Sequence, residues 1–463
     1  MKNKEELLLD SNRGNMLRQE LTGSARSDQP TLDPSEPHGS DLMEQIVSTP
    51  NLDRAWRRVK RNRGAPGPDG ITIKEFEPWA RTHWAGIRQQ LLDGTYRPQP
   101  VRRKVIKKEN GDERLLGIPN VLDRLIQQAI LQILTPIFDP EFSESSFGFR
   151  PRRSCHGAAK QVQQTIRQGN LHVVNIDLSK FFDRVQHDVL MSRVSRKVHD
   201  PRLLRLIGRY LRAGVMIEGV VQLTEEGAPQ GGPLSPLLSN ILLDDLDKEL
   251  ERRELKFVRY ADDFLVFVKS SRSARRVLKS VQRYLNETLK LIVNQKKSFV
   301  GTAEGCEYLG FMFVGGRRAT IKVAAKKLKA FKRRIKELTG RSRGISMQRR
   351  LTELRRYVRG WIGYFALAKQ VEDFINLDMW IRRRVRMCHW KQWRYPRTKV
   401  RKLVELGVSL DMSIKHAISR KSYWRMCNTP AMRFAMPNKW LQEQGLLSLT
   451  ELWFQRAPLR GIA

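Results

Sequence analysis

The chain has 463 residues, 40% of them hydrophobic, enough for a real core divided over about two to four domains. Its 86 Lys and Arg against 48 Asp and Glu leave a formal net charge of +38, which repels itself in a compact chain unless a polyanion such as nucleic acid lies against it. No apolar run suits a membrane span or signal peptide, the four scattered cysteines fit a reducing cytoplasm and form neither zinc pairs nor a disulfide framework, and HExxH and phosphate-loop motifs are missing, so any metal has to be held by carboxylates.

Residues 1–42 are rich in Ser, Asp, Glu, Pro and Gly and read as a mobile leader. A helical pattern starts near Met43 and runs through Leu52, Ala55, Trp56 and Val59 into a Gly/Pro-punctuated basic loop, Arg61 to Gly70. Two basic strands between Val101 and Leu116 flank Asn110-Gly111, a strong hairpin signal. A helix is predicted over 121–138, a strand over Val173 to Asp177, helical segments over about Asp188 to Ala213, and helix again over about Ser235 to Arg252, after the Gly/Pro-rich Gly227 to Pro233. Strands at about 256–259 and 264–268 enclose Ala261-Asp262-Asp263. A helix over Ser273 to Leu289, a strand near Leu291 to Asn294 and a hairpin around Tyr308 to Phe313 follow. Strand, helix, paired strands, helix and strand make the split βαββαβ layout of a small sheet with helices on one face. From about Ile321 the chain reads as basic helices interleaved with Trp361, Tyr364, Trp380, Trp390, Trp393 and Trp424, most of these rings expected in the core with the cations outside.

Asp177 closes an apolar strand and Asp262 and Asp263 sit at a hairpin tip. If these strands share a sheet, their carboxylates converge at its edge, where only cations relieve the repulsion; two Mg²⁺ ions suit such oxygen ligands and can activate a hydroxyl and screen a triphosphate. An isolated Asp-Asp at a turn is ordinary loop chemistry, so the surrounding motifs carry the weight.

Those motifs resemble the reverse transcriptases encoded by group II introns, over about residues 43 to 440. Val258-Arg259-Tyr260-Ala261-Asp262-Asp263-Phe264 is similar to their metal-binding hairpin, and Asn175-Ile176-Asp177-Leu178-Ser179-Lys180-Phe181-Phe182 to their first catalytic strand. The resemblance implies Asp177, Asp262 and Asp263 as catalytic residues and, with Leu178, as the metal site for two Mg²⁺ ions, Mn²⁺ substituting. Gly227-Ala228-Pro229-Gln230-Gly231-Gly232-Pro233 is similar to the loop that cradles the nascent base pair, making Gln230 a nucleotide contact. Phe182 takes the place of the aromatic that excludes a 2′-hydroxyl; Phe181 beside it would point the opposite way, so one of the two is expected in the core, and a plain core role for Phe182 is the alternative. Lys108 and Arg114 match the two triphosphate cations, with Lys107 standing where the family has proline, so either lysine fits. Asn294-Gln295-Lys296-Lys297-Ser298 makes Lys297 a candidate beside the leaving group, and Tyr308-Leu309-Gly310-Phe311 is similar to the primer-grip hairpin.

The same resemblance covers the template-side motif Arg150-Pro151-Arg152-Arg153-Ser154-Cys155-His156-Gly157 and, at Leu354 to Phe365, the start of the maturase region or thumb. It implies an α+β right-hand polymerase: fingers and a ferredoxin-like palm sheet with an N-terminal extension over 43–315, a helical thumb/maturase domain over 316–405, and a small C-terminal nucleic-acid-binding domain over 406–463. Arg63, Arg150, Arg153, Lys332, Arg333, Arg359, Arg383, Lys391 and Arg397 are the expected nucleic-acid contacts. Expected partners are the intron RNA, target DNA with its primer, and dNTPs, with no membrane, in a bacterial cytoplasm or on its nucleoid. Without a His-Asn-His endonuclease before Ala463, the chain resembles the endonuclease-lacking class, bacterial class C proteins among them. A retron-like enzyme and a non-enzymatic maturase are the rival expectations, the first separable by a flanking ribozyme and the second disfavoured by the three retained aspartates.

Overall fold

The computed structural model describes residues 41–107, 113–179, 181–217, 220–222, 227 and 231–456. The first helical pattern divides at Ser48-Thr49-Pro50 into helices Leu42–Ile46 and Thr49–Asn62, because Pro50 fits a first helical turn, where its missing N–H is no loss. The loop that follows is held by Arg124 Nη2 on Ala65 O and Arg102 Nη2 on Pro66 O, both 2.7 Å. Helix Ile73–Leu92 then starts on a capping box between Thr72 and Glu75.

Strands β1 (Val101–Lys107) and β2 (Glu113–Ile118) pair antiparallel from Arg102↔Ile118 to Lys107↔Glu113; the Asn110-Gly111 tip and Lys108 lie outside the described residues. Two unanticipated three-residue strands, β4 (Val215–Ile217) and β5 (Val220–Gln222), extend this into a sheet ordered β2-β1-β4-β5. The helical segments expected from Asp188 to Ala213 are the helices His187–Val194 and Pro201–Arg212, the second capped by Asp200 onto the N–H groups of Arg202 and Leu203.

The central sheet comprises β3 (His172–Asp177), β6 (Lys256–Tyr260), β7 (Asp263–Val268) and β8 (Phe299–Thr302), ordered β6-β7-β3-β8 and antiparallel throughout. Helices Ser235–Arg252 and Ser271–Glu287 make its crossovers. This is the split βαββαβ arrangement, with its last strand moved: Leu291 to Asn294 runs extended but makes only the isolated bridge Leu178↔Val293, and Phe299–Thr302 forms the edge instead. Leu291 and Val293 are buried and Ile292 exposed, so strand-like alternation is present without a ladder.

Both faces of this sheet are covered. Val174, Ile176, Phe264 and Val266 enter one core, shared with helices Val121–Phe138 and Ser235–Arg252. Val173, Val258, Leu265 and Phe267 enter a second, shared with helix Cys155–Arg167 and the C-terminal helices. Double coverage explains the unbroken apolar run Phe264 to Val268, each such side chain contributing about 1.5–3 kcal/mol on burial.

The hairpin near Tyr308 is β9 (Glu307–Tyr308) with β10 (Phe311–Val314), turning at Leu309 (φ 50) and Gly310 (φ 81). β11 (Thr320–Val323) adds a third strand where helix was expected to begin. Helices Ala325–Leu338, Met347–Phe365 and Val371–Gln392 form the following bundle, and shorter helices continue to Arg456. The rings expected inside this bundle are there: Trp390 and Trp393 are buried and Trp361 packs on Phe331 at 4.3 Å.

Candidate active site

β6 and β7 meet in a two-residue turn: Tyr260 pairs with Asp263, and Ala261 takes φ 58 between them. In the β3–β7 ladder, Asp177 faces Asp263 directly. They continue the rows Val173–Phe267 and Asn175–Leu265 and so emerge on the face covered by the C-terminal helices, beyond the edge of that cover, with Asp262 beside them at the tip. Cross-strand neighbours of like charge destabilise one another. Although Asp263 keeps an open side, the protein packed around it, followed by the charges of Asp262 and Asp177, pushes its carboxyl up to about 7.

The end of β3 is clamped by the turn after it. Asp177 N donates to Ser298 Oγ at 3.0 Å, and Asp177 O accepts from Asn294 N at 2.8 Å. The same turn brings Lys297 Nζ to 3.9 Å from Asp177 Oδ2. Leu178, buried, follows at the bridge to Val293. Among the described residues, no three His, Cys, Asp or Glu side chains are drawn together closely enough to hold a metal ion by themselves. An open, self-repelling carboxylate edge fits Mg²⁺, which is commonly held by one or two carboxylates together with substrate phosphates.

The hairpin tip is fastened from beneath by a network the sequence analysis missed. Arg259, fully buried, places Nε and Nη2 on the Asp247 carboxylate, while Nη1 donates to Asn240 Oδ1 at 2.9 Å and to Ala261 O at 3.1 Å. Asn240 Nδ2 donates to Gly148 O at 2.8 Å. Helix Ser235–Arg252 thus holds the carbonyl at the bend from which Asp262 projects. The available signal was a lone cation in the apolar stretch Phe257-Val258-Arg259, since an interior charge requires a partner. Tyr308 Oη braces the other face, donating to Asp263 O at 3.1 Å.

Phe181 is buried and Phe182 half-buried, their rings 5.1 Å apart on a short 3-10 turn, not on a strand. The glycine-rich loop starts against this turn. Gly227, at φ 99, is so close that a Cβ would lie 3.0 Å from Phe182 O, and a Cβ on Gly231 (φ 120) would meet Gly117 O of β2 at 2.4 Å. Gln230 lies outside the described residues. Arg114 is on β2 opposite Ile106.

The expected nucleic-acid contacts divide. Arg63, Lys332, Arg333, Arg359, Lys391 and Arg397 are exposed. Arg150 is a correction: its guanidinium is buried and engaged from all three nitrogens, on Asp139, Ser143 O and Ser146 O, so it staples its own loop. Arg153 pairs with Glu144. Arg383 lies 3.9 Å over the Trp424 ring and donates to Trp424 O, binding the C-terminal helices together.

A family model described as reverse transcriptase (RNA-dependent DNA polymerase) matches residues 106–313, and one described as the group II intron maturase-specific domain matches residues 328–405. Protein YkfC of Escherichia coli (strain K12) is 33% identical over 316 residues, 60% of this chain and 82% of that protein. The group II intron-encoded protein LtrA of Lactococcus lactis subsp. cremoris is 31% identical over 338 residues, 59% of this chain and 56% of LtrA. A putative COX1/OXI3 intron 1 protein of Saccharomyces cerevisiae is 26% identical, over 59% of this chain and 39% of that protein. The chain thus spans most of the first but little more than half of the second.

Proposed function

Because the chain belongs to the group II intron-encoded reverse transcriptases and maturases, we propose that it copies RNA into DNA at the Asp177, Asp262 and Asp263 edge. We propose equally that it binds its own intron RNA, supports the splicing of that RNA, and copies it from a target-DNA primer during retrohoming. Asp177, Asp262 and Asp263, with Leu178 alongside, would hold two Mg²⁺ ions, or Mn²⁺ in their place, which when bound activate a 3′-hydroxyl and screen the triphosphate. The observation that carries this reading is the ladder register that sets Asp177 opposite Asp263.

The chain's own groups then divide the work. Lys297, 3.9 Å from Asp177 Oδ2, keeps a cation and a proton donor at the edge where pyrophosphate departs. Phe182, its ring 5.1 Å from that of Phe181 and its backbone against Gly227, would limit the sugar to a deoxyribose. Gln230, Lys108 and Arg114 are proposed to hold the dNTP from the fingers side. Arg63, Arg153, Lys332, Arg333, Arg359, Lys391 and Arg397 are proposed phosphate contacts.

Primer extension on an RNA template tests the polymerase reading. Asp262→Ala and Asp263→Ala are expected to lower kcat roughly 10³-fold or more, and activity surviving either change would sink the assignment. Splicing of the intron RNA at low Mg²⁺ should need the protein yet survive Asp262→Ala, which separates the two roles.

A further inference from the structure

Phe149 combines two unfavourable features beside the hairpin tip. Its backbone is left-handed, φ 59, a region that disfavours bulky side chains, and the residue is 60% exposed. Neither reflects a loose loop. The preceding residues run alongside β6, with Arg259 N on Ser145 O and Phe147 N on Arg259 O, both 2.9 Å. Gly148 is pressed against the turn so tightly that a Cβ would lie 2.3 Å from Ala261 N. Asn240 holds the Gly148 carbonyl, and directly afterwards Arg150 is drawn inward to Asp139, Ser143 and Ser146. Fixed on both sides, the chain displays Phe149 outward, its ring 6.2 Å from that of Tyr260 and tilted 48° to it.

A rigidly displayed aromatic pair next to a carboxylate edge has the chemistry to receive the flat face of a nucleobase or the apolar side of its sugar. We propose that Phe149, backed by Tyr260, is a stacking shelf for a nucleotide of the primer–template duplex, setting that strand's position relative to Asp262 and Asp263. This rests on the polymerase reading above. The strained backbone is maintained because it turns the ring toward the strand instead of into the core occupied by Phe147.

The decisive variant is Phe149→Gly, which removes the ring and relieves the left-handed backbone together. Its Tm should equal or exceed that of the wild type. Its affinity for a DNA primer annealed to an RNA template, read by fluorescence anisotropy, should fall about 5- to 100-fold, the range of one lost base–aromatic stack, while KM for dNTP is unchanged. Phe149→Trp should restore binding. Placing 2-aminopurine at the primer 3′ end or at the opposing template base identifies the strand, because the quenching seen with the wild type should be lost with Phe149→Gly at one of them. Wild-type affinity in the glycine variant, or unaltered quenching at both positions, overturns the shelf. Failure of the wild type to extend the primer would instead reject the polymerase reading.

Discussion

Asp123 illustrates how one residue can be costly and still retained. It is 2% exposed beneath the hydroxyls of Tyr96 at 2.9 Å and Tyr210 at 3.1 Å. Burial, only partly offset by those hydroxyls, lifts its carboxyl from 3.8 to about 6. Between those values the folded chain keeps a proton that the unfolded chain releases, so this group's stabilisation is complete at low pH and is lost as pH rises through about 6. Asn cannot ionise. The stability of Asp123→Asn relative to wild type should therefore increase by on the order of 2–3 kcal/mol from about pH 4 to about pH 7, measured by urea unfolding; a constant difference would mean that Asp123 ionises as freely inside the fold as outside. None of this was legible beforehand, because Asp123 lies off the apolar stripe of its helix and is buried by tyrosines from two remote segments. Asp177, Asp262 and Asp263 were legible because each sits at a strand end in a recognisable motif. Arg259 passed unnoticed among 86 basic residues, and Arg150 was misassigned because its motif does not reveal which way a guanidinium turns.

At the scale of elements, the β6–β7 hairpin depends on the helix Ser235–Arg252 for its shape. Arg259→Met leaves Asp247 buried without its partner and should cost about 3–5 kcal/mol. Adding Asp247→Leu should recover most of that loss, since two apolar side chains can replace a buried ion pair. The double variant should nevertheless remain poor in primer extension, because Ala261 O and Asn240 Oδ1 still lack their donor. Urea midpoints and extension rates measured on the same preparations check both halves; parallel recovery of stability and rate would reduce the network to a folding device. Long periodic helices such as Val121–Phe138 and Ser235–Arg252 appeared as expected, because their patterns are local. β4, β5 and β11 exist only through their partners, and Leu291 to Asn294 has the alternation of a strand but meets its neighbour at Leu178 in a single bridge, too short for a ladder. Local pattern specifies which face is apolar, while ladder formation is decided by a partner far along the chain.

For the whole molecule, the net charge of +38 and the exposed cations on helices Ala325–Leu338 and Met347–Phe365 imply RNA binding dominated by counterion release. Affinity should fall by about 10³-fold or more between about 50 and 200 mM salt if six or more phosphates are engaged; filter binding across that range measures it, and a flat response would exclude a phosphate-led interface. The central sheet is a wall common to two cores, and these are completed at different times. Val174, Ile176, Phe264 and Val266 find their cover among residues up to about 300, whereas Val173, Leu265 and Phe267 also await helices that begin at Ala325. On the ribosome, then, Asp177, Asp262 and Asp263 all emerge while one side of their sheet is still only partly covered. A message cut short after Val323 would encode Asp177, Asp262 and Asp263 together and yield a sticky fragment in need of a chaperone.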